Sequence, residues 1–178
     1  MPNKNLKVFE FVKFSILFSL ILLLVSPPVF ALSAGEIENL TPGANDNSNL
    51  PSISSDGRYV TFSSTADNLI EGDSSGYTDI FVKDTQENTI TKVSVNTDGD
   101  EANSNSNFSS ISSDGRYVVF SSTATNLVDD DINSRPDIFV RDTQENTTIR
   151  VSVNSAGDEA DNASIFPSIA FGGSIDYS

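Results

Sequence analysis

The chain has no cysteine, no histidine and no tryptophan among its 178 residues. Without cysteine, disulfides cannot hold the fold together, even in a compartment that would form them. Stability must then come from buried apolar surface or from bound metal. The absence of histidine and cysteine removes the commonest general base, the usual nucleophile and base pairs, and ordinary zinc sites. Serine is plentiful, yet the one Gly-x-Ser-x-Gly string, at 72–76, lies in a polar loop and not in the strand-to-helix turn of a nucleophile elbow. A glycosidase-type carboxylate pair would survive these absences, but nothing singles out two of the many acids. The expectation is a protein that is not an enzyme. Basic residues are scarce as well: 10 lysines and arginines face 25 acidic residues, a formal charge of −15. Such a surface repels nucleic acid and anionic lipid, so no nucleic-acid partner is expected. It attracts cations, calcium included, although the plainest reading of the acidity is a solvated, aggregation-resistant surface.

There is one long apolar run, at the start of the chain. Lys4, Lys7 and Lys13 lead into the stretch from Phe14 to Val25, and Pro27-Pro28 and Val29-Phe30-Ala31 follow. A charged start, an apolar stretch of about 12 residues and a small-residue cleavage site mark residues 1–31 as a secretory signal peptide. A spanning helix needs about 20 apolar residues, so no stable membrane anchor is expected once Ala31 is cleaved. The protein is accordingly expected to be exported, periplasmic or extracellular. The leader removes three lysines and Glu10, so residues 32–178 keep 7 basic and 24 acidic side chains, a formal −17.

The rest of the chain repeats itself. Ser54-Ser-Asp-Gly-Arg-Tyr-Val60 returns as Ser112 to Val118, and Asp79-Ile-Phe-Val-Lys-Asp84 returns as Asp137-Ile-Phe-Val-Arg-Asp142. Residues 51–108 lie over 109–166 without a gap and agree at roughly 37 positions, the mark of a structural repeat. Residues 32–50 read as a polar linker running into the first repeat, and 167–178 as the aborted start of a third. Within each unit four strands are predicted. In the first copy Pro51 to Ser54 meets the Asp56-Gly57 turn, and Arg58 to Ser64 follows. That second strand alternates, Val60 and Phe62 on a core side against Tyr59, Thr61 and Ser63. Asp79 to Asp84 is the third, and Thr85 to Thr89 reverses the chain into Ile90 to Val95. No apolar spacing suits a helix, so the class is all-β. Four short antiparallel strands at a period above about 40 residues describe a β-propeller blade, here two complete blades of an incomplete propeller. A sandwich or a solenoid suits near-identical units of this length less well.

The pattern Ser-x-Asp-Gly-Arg-Tyr-Val-x-Phe-Ser-Ser followed by Asp-Ile-Phe-Val-x-Asp stands at 54–64 with 79–84, and again at 112–122 with 137–142. It resembles the WD-like propeller repeat of TolB-type proteins. The resemblance implies a bacterial exported propeller of six to eight blades, often a binding scaffold around a central channel. It is confined to the blades, so it implies no role in the Tol envelope system. Propellers of this type also resemble those attached to prolyl-oligopeptidase-like peptidases, which makes the propeller part of a secreted hydrolase whose catalytic domain is missing one alternative; a calcium-stabilised surface repeat is the other. Two blades cannot close a ring, since their outer faces and strand edges would stay uncovered. The chain is therefore expected to be a fragment of a longer propeller, or to close a ring as a homo-oligomer. A protein partner, or further propeller blades, is the expected company.

The loop before the third strand carries the candidate site. Asp73-Ser-Ser-Gly-Tyr-Thr-Asp79 and Asp131-Ile-Asn-Ser-Arg-Pro-Asp137 each place oxygen side chains at loop positions 1, 3 and 7. Calcium takes six to eight oxygens, and such loops supply them. Asp73, Asp79, Asp131, Asn133 and Asp137 are the candidate calcium ligands, and no other cofactor is expected. The loops lack the bidentate glutamate of a full calcium loop. Equally, Asp79 and Asp137 suit a structural role in which they bond turn amides, and both readings stay open. Lys83, Arg141, Lys92 and Arg150 recur at equivalent places and read as edge charges that discourage strand addition.

Overall fold

The computed structural model describes residues 39–170. The expected leader at 1–31 and the final stretch 171–178 lie outside the described residues. Eight strands form: β1 (Ser48–Ile53), β2 (Tyr59–Ser64), β3 (Asp79–Asp84), β4 (Thr89–Lys92), β5 (Ser106–Ile111), β6 (Tyr117–Ser122), β7 (Asp137–Asp142) and β8 (Thr147–Arg150). They make two antiparallel sheets, each a meander in chain order. Among the described residues there is no helix.

Turn chemistry sets the hairpins. Asp56 accepts hydrogen bonds from the Ser54 hydroxyl at 2.6 Å and the Arg58 amide at 3.0 Å. Gly57 takes a φ of 74° that side chains avoid, and Gly115 repeats it at 76°. After β3 the amides of Gln86 and Glu87 bond Asp84 Oδ1 at 2.9 and 3.1 Å. Arg58 holds the same carboxylate through Nε and Nη2, which ties the two turns of one sheet together. Arg116 and Asp142 repeat the arrangement. Burial pushes the Asp84 and Asp142 carboxyls up, but the arginine and the two amides outweigh it and hold both below the ordinary value of 3.8. A carboxyl depressed in the folded state adds stability above its unfolded value that is lost as the pH falls. Denaturant midpoints are therefore expected to be insensitive to these groups above about pH 5 and to fall below about pH 4. Asp142→Asn should flatten that acid limb, and an unchanged limb would remove Asp142 from the account.

The first strand of each sheet begins earlier than Pro51 and carries a bulge. Ser48 and Asn49 pair with Ser64 and Ser63, and the register then slips before Ser52. Leu50 and Phe108 sit in the two bulges at φ values of 52° and 55°. The fourth strand is shorter than the expected Ile90 to Val95, because the chain turns away after Lys92 and Val95 bridges back to Glu101.

The sheets lie face to face, with β5 across β1, β2 and β3. Ile111, Val118, Phe120 and Phe139 of the second sheet form one core with Ile80, Val82 and Val93 of the first, and Tyr59 packs against it. Phe120 and Phe139 stack at 5.9 Å, as Phe62 and Phe81 do at 5.8 Å in the first copy. Burying each such side chain contributes about 1.5–3 kcal/mol. Polar links fix the register. The Ser55 amide bonds the Ser113 carbonyl at 3.0 Å, and Thr61 Oγ1 meets Ser109 Oγ at 3.1 Å. Gly115 admits the Tyr59 ring: a Cβ there would stand 2.1 Å from Cδ2. The expectation of a single core side for β2 is corrected, since Thr61 and Ser63 are as buried as Val60 and Phe62. Thr61 is buried because the next sheet covers its face.

The third repeat starts as the second does. Ser164 bonds the Pro136 carbonyl at 2.7 Å as Ser106 bonds that of Thr78 at 2.8 Å. Ile169 reaches Ser110 Oγ at 3.4 Å, as Ile111 reaches Ser52 Oγ. It also packs on the cluster of Tyr117, Val119 and Val140. Meander sheets laid one on the next by their first strands are neighbouring blades, and the fold is all-β, an unclosed β-propeller.

Candidate functional site

The loop before β3 returns to the end of β4 in each blade, and buried charge collects there. In the first blade Lys92, the last residue of β4, points its ammonium into a group of three carboxylates. Its Nζ lies 2.7 Å from Asp73 Oδ1, 2.9 Å from Asp79 Oδ2 and 2.7 Å from Glu101 Oε1. The other Asp79 oxygen accepts from Ser94 Oγ at 2.7 Å, and that same hydroxyl oxygen accepts from the Ile80 amide at 3.1 Å. Glu101 is brought back by the bridge from Val95. Burial disfavours the charged ammonium, but hydrogen bonds to Asp73, Glu101 and Asp79 outweigh it and raise the Lys92 pKa. An ammonium has three N–H donors, one for each carboxylate.

The second blade keeps the acids and changes the cation. Asp131, Asp137 and Glu159 stand at the equivalent positions, with ligand oxygens all within 4.8 Å of one another. Ser152 Oγ donates to Asp137 Oδ1, and Asn133 Nδ2 reaches Asp137 Oδ2 at 3.2 Å and the Ala160 carbonyl at 2.8 Å. Arg150 stands where Lys92 does, but its guanidinium is planar and longer. Nη1 lies 2.8 Å from Glu159 Oε1, while Nη2 reaches past the group to Asp130, 3.2 Å from both its carbonyl and its Oδ1. Asp131 is left 3.9 Å from Nη1, with both its oxygens buried and without a hydrogen-bond partner. Its burial, followed by the nearness of Glu159 and Asp137, pushes its carboxyl up to about 6 against the weaker pull of Arg150.

The five sequence-predicted ligands thus fall into two groups, Asp73 with Asp79 and Asp131 with Asn133 and Asp137. Glu101, Glu159, Lys92 and Arg150 complete them and were not singled out by the loop pattern. Reading the four recurring cations as edge charges is corrected. Lys92 and Arg150 turn inward to the acids, and Arg141 bonds the Asn96 carbonyl and Thr148 Oγ1 at 3.0 and 3.1 Å. Lys83 is buried beside Asn88.

A second feature runs along the first strands. The bulge residues Leu50 and Phe108 and the equivalent Phe166 all have left-handed φ, 52°, 55° and 59°. Leu50 and Phe166 are exposed, and the rings of Phe108 and Phe166 lie 4.4 Å apart. At the turn end of the blades, Tyr59, Asp84, Lys92, Arg116, Arg141 and Gln144 border a groove of about 300 Å³.

No family model matches the chain, and no curated protein matches it. Solved structures similar to it include a protein assigned as TolB from Agrobacterium tumefaciens, 18% identical over 67% of this chain and 35% of that one, with a TM-score of 0.42. The β-propeller domain of the trilobed protease from Pyrococcus furiosus, which has an open velcro topology, is 18% identical over 58% of this chain and 27% of its own, with a TM-score of 0.38. TolB from Acinetobacter baumannii is 16% identical over 72% and 38%, with a TM-score of 0.25. The chain spans well under half the length of each.

Proposed function

We propose that the chain is a non-catalytic, exported β-propeller module that binds a folded protein partner through the row of bulge residues on its first strands. The observation that carries this reading is Leu50, Phe108 and Phe166 held in one repeated strained conformation, with Leu50 and Phe166 exposed. A left-handed φ on a non-glycine residue costs about 1–3 kcal/mol, and a cost kept at three equivalent positions calls for a use. Large apolar side chains left exposed at equivalent places, with the half-buried Phe108 between them, suit a protein contact. The acidic surface favours a partner that is not a nucleic acid. The leader-like start supports export.

A photo-crosslinking residue placed at 108 or 166 in producing cells tests the reading. One discrete adduct is expected from both positions and none from Glu71, an exposed loop residue of the first blade. An adduct of twice the chain mass would identify the partner as another copy of the chain. No adduct at 108 and 166, or the same products from position 71, would overturn the reading.

A further inference from the structure

We propose that the second blade binds a calcium ion through Asp131, Asp137 and Glu159, at the place the Lys92 ammonium takes in the first blade. The two blades build the same group from the same backbone. Asp73, Asp79 and Glu101 in one stand where Asp131, Asp137 and Glu159 stand in the other. In the first, a single positive centre lies within 2.7–2.9 Å of all three acids. The fold therefore already places a cation at this point. In the second, Arg150 gives Nη1 to Glu159 and Nη2 to Asp130, and comes no nearer to Asp131 than 3.9 Å.

Asp131 is the independent sign that something belongs there. It is 6% exposed, neither of its oxygens has a hydrogen-bond partner, and Arg150 Nη1 stands off at 3.9 Å. A buried carboxyl without a hydrogen bond is costly, and native proteins keep few of them. Three ligand oxygens within 4.8 Å of one another suit a central ion at the roughly 2.4 Å of a calcium–oxygen bond. Magnesium demands near-ideal octahedral geometry and gives up its waters reluctantly, so a buried group of three carboxylates suits it less. The second oxygens of these carboxylates and water would complete the six to eight ligands that calcium takes. The first blade takes no calcium, because Lys92 is its cation.

The test uses the exported chain stripped with a chelator. Calcium at millimolar concentration is expected to raise the melting temperature by about 5 °C, as a ligand well above its Kd does for a domain this size. Magnesium should do much less. Arg150→Lys rebuilds the first blade's arrangement, so it should melt higher without calcium and lose the calcium shift. Asp131→Asn should remain folded and lose the shift as well. Titration calorimetry should give one calcium per chain. The proposal is overturned if calcium produces neither shift nor heat in the unsubstituted protein. It is equally overturned if Arg150→Lys keeps the full response, because the site would then lie elsewhere.

Discussion

Replacing Gly115 by alanine is expected to destabilise the protein far more than replacing Gly57, although the two glycines hold the same place in the same turn. Both have left-handed backbone, with φ of 74° at Gly57 and 76° at Gly115, so each substitution carries a strain of about 1–2 kcal/mol. At Gly57 the added methyl meets open space. At Gly115 it meets the Tyr59 ring of the neighbouring blade, at 2.1 Å from Cδ2 and 2.7 Å from Cε2. The ring has to leave the interface core or the turn has to move, and overpacking of this kind adds about 1–3 kcal/mol. Urea denaturation should give Gly115→Ala a loss of about 3 kcal/mol or more, and Gly57→Ala a loss near 1–2 kcal/mol. Equal losses would mean that the two turns differ in nothing that matters to the fold.

Lys92→Met should be comparably damaging, on the order of 3–5 kcal/mol, because it leaves buried carboxylates without their counter-charge. Methionine keeps the unbranched stem, so the loss reports the ammonium more than the packing. The side chains of Asp73 and Asp79 are 4% and 1% exposed, and water cannot replace the lost partner. Arg58→Met removes a cation of better solvated surroundings, 30% exposed, and should cost much less. Adding Asp73→Asn to Lys92→Met should restore part of the loss, since it withdraws one of the stranded charges. Thermal melts of the three variants check this, and a Lys92→Met melt within a degree or two of the parent would refute the buried ion group.

Much of the fold was legible because its determinants are local. Asp56-Gly57 and Asp114-Gly115 specify hairpins through a side-chain hydrogen bond and a permissive glycine. The Ile-Phe-Val runs specify packed strands. The copying of the whole unit at one offset then says that one sheet lies on another. The bulges at Leu50 and Phe108 were not legible, because neither residue is one that prefers positive φ. The ion groups were half legible. The acids at loop positions 1 and 7 stood out by their spacing, but Lys92 and Glu101 come from 13 and 22 positions beyond Asp79 in the sequence and meet it only through the pairing of β3 with β4 and the bridge from Val95 to Glu101. A signal was present in the comparison of the two copies. Loop residues 74–78 and 132–136 share nothing, while Asp73, Asp79, Ser94 and Glu101 all recur unchanged and position 92 keeps its charge.

The contact between the blades carries the whole architecture, and one thermodynamic cycle measures it. Gly115→Ala is combined with Tyr59→Ala, and unfolding free energies are taken for all four proteins. If the Tyr59 ring occupies the space over Gly115, removing the ring removes the clash. Gly115→Ala should then cost only the turn strain of about 1–2 kcal/mol, for a coupling of about 2 kcal/mol between residues of different repeats. Additivity within about 0.5 kcal/mol would contradict the account, because the two copies would then fold without laying one blade on the other.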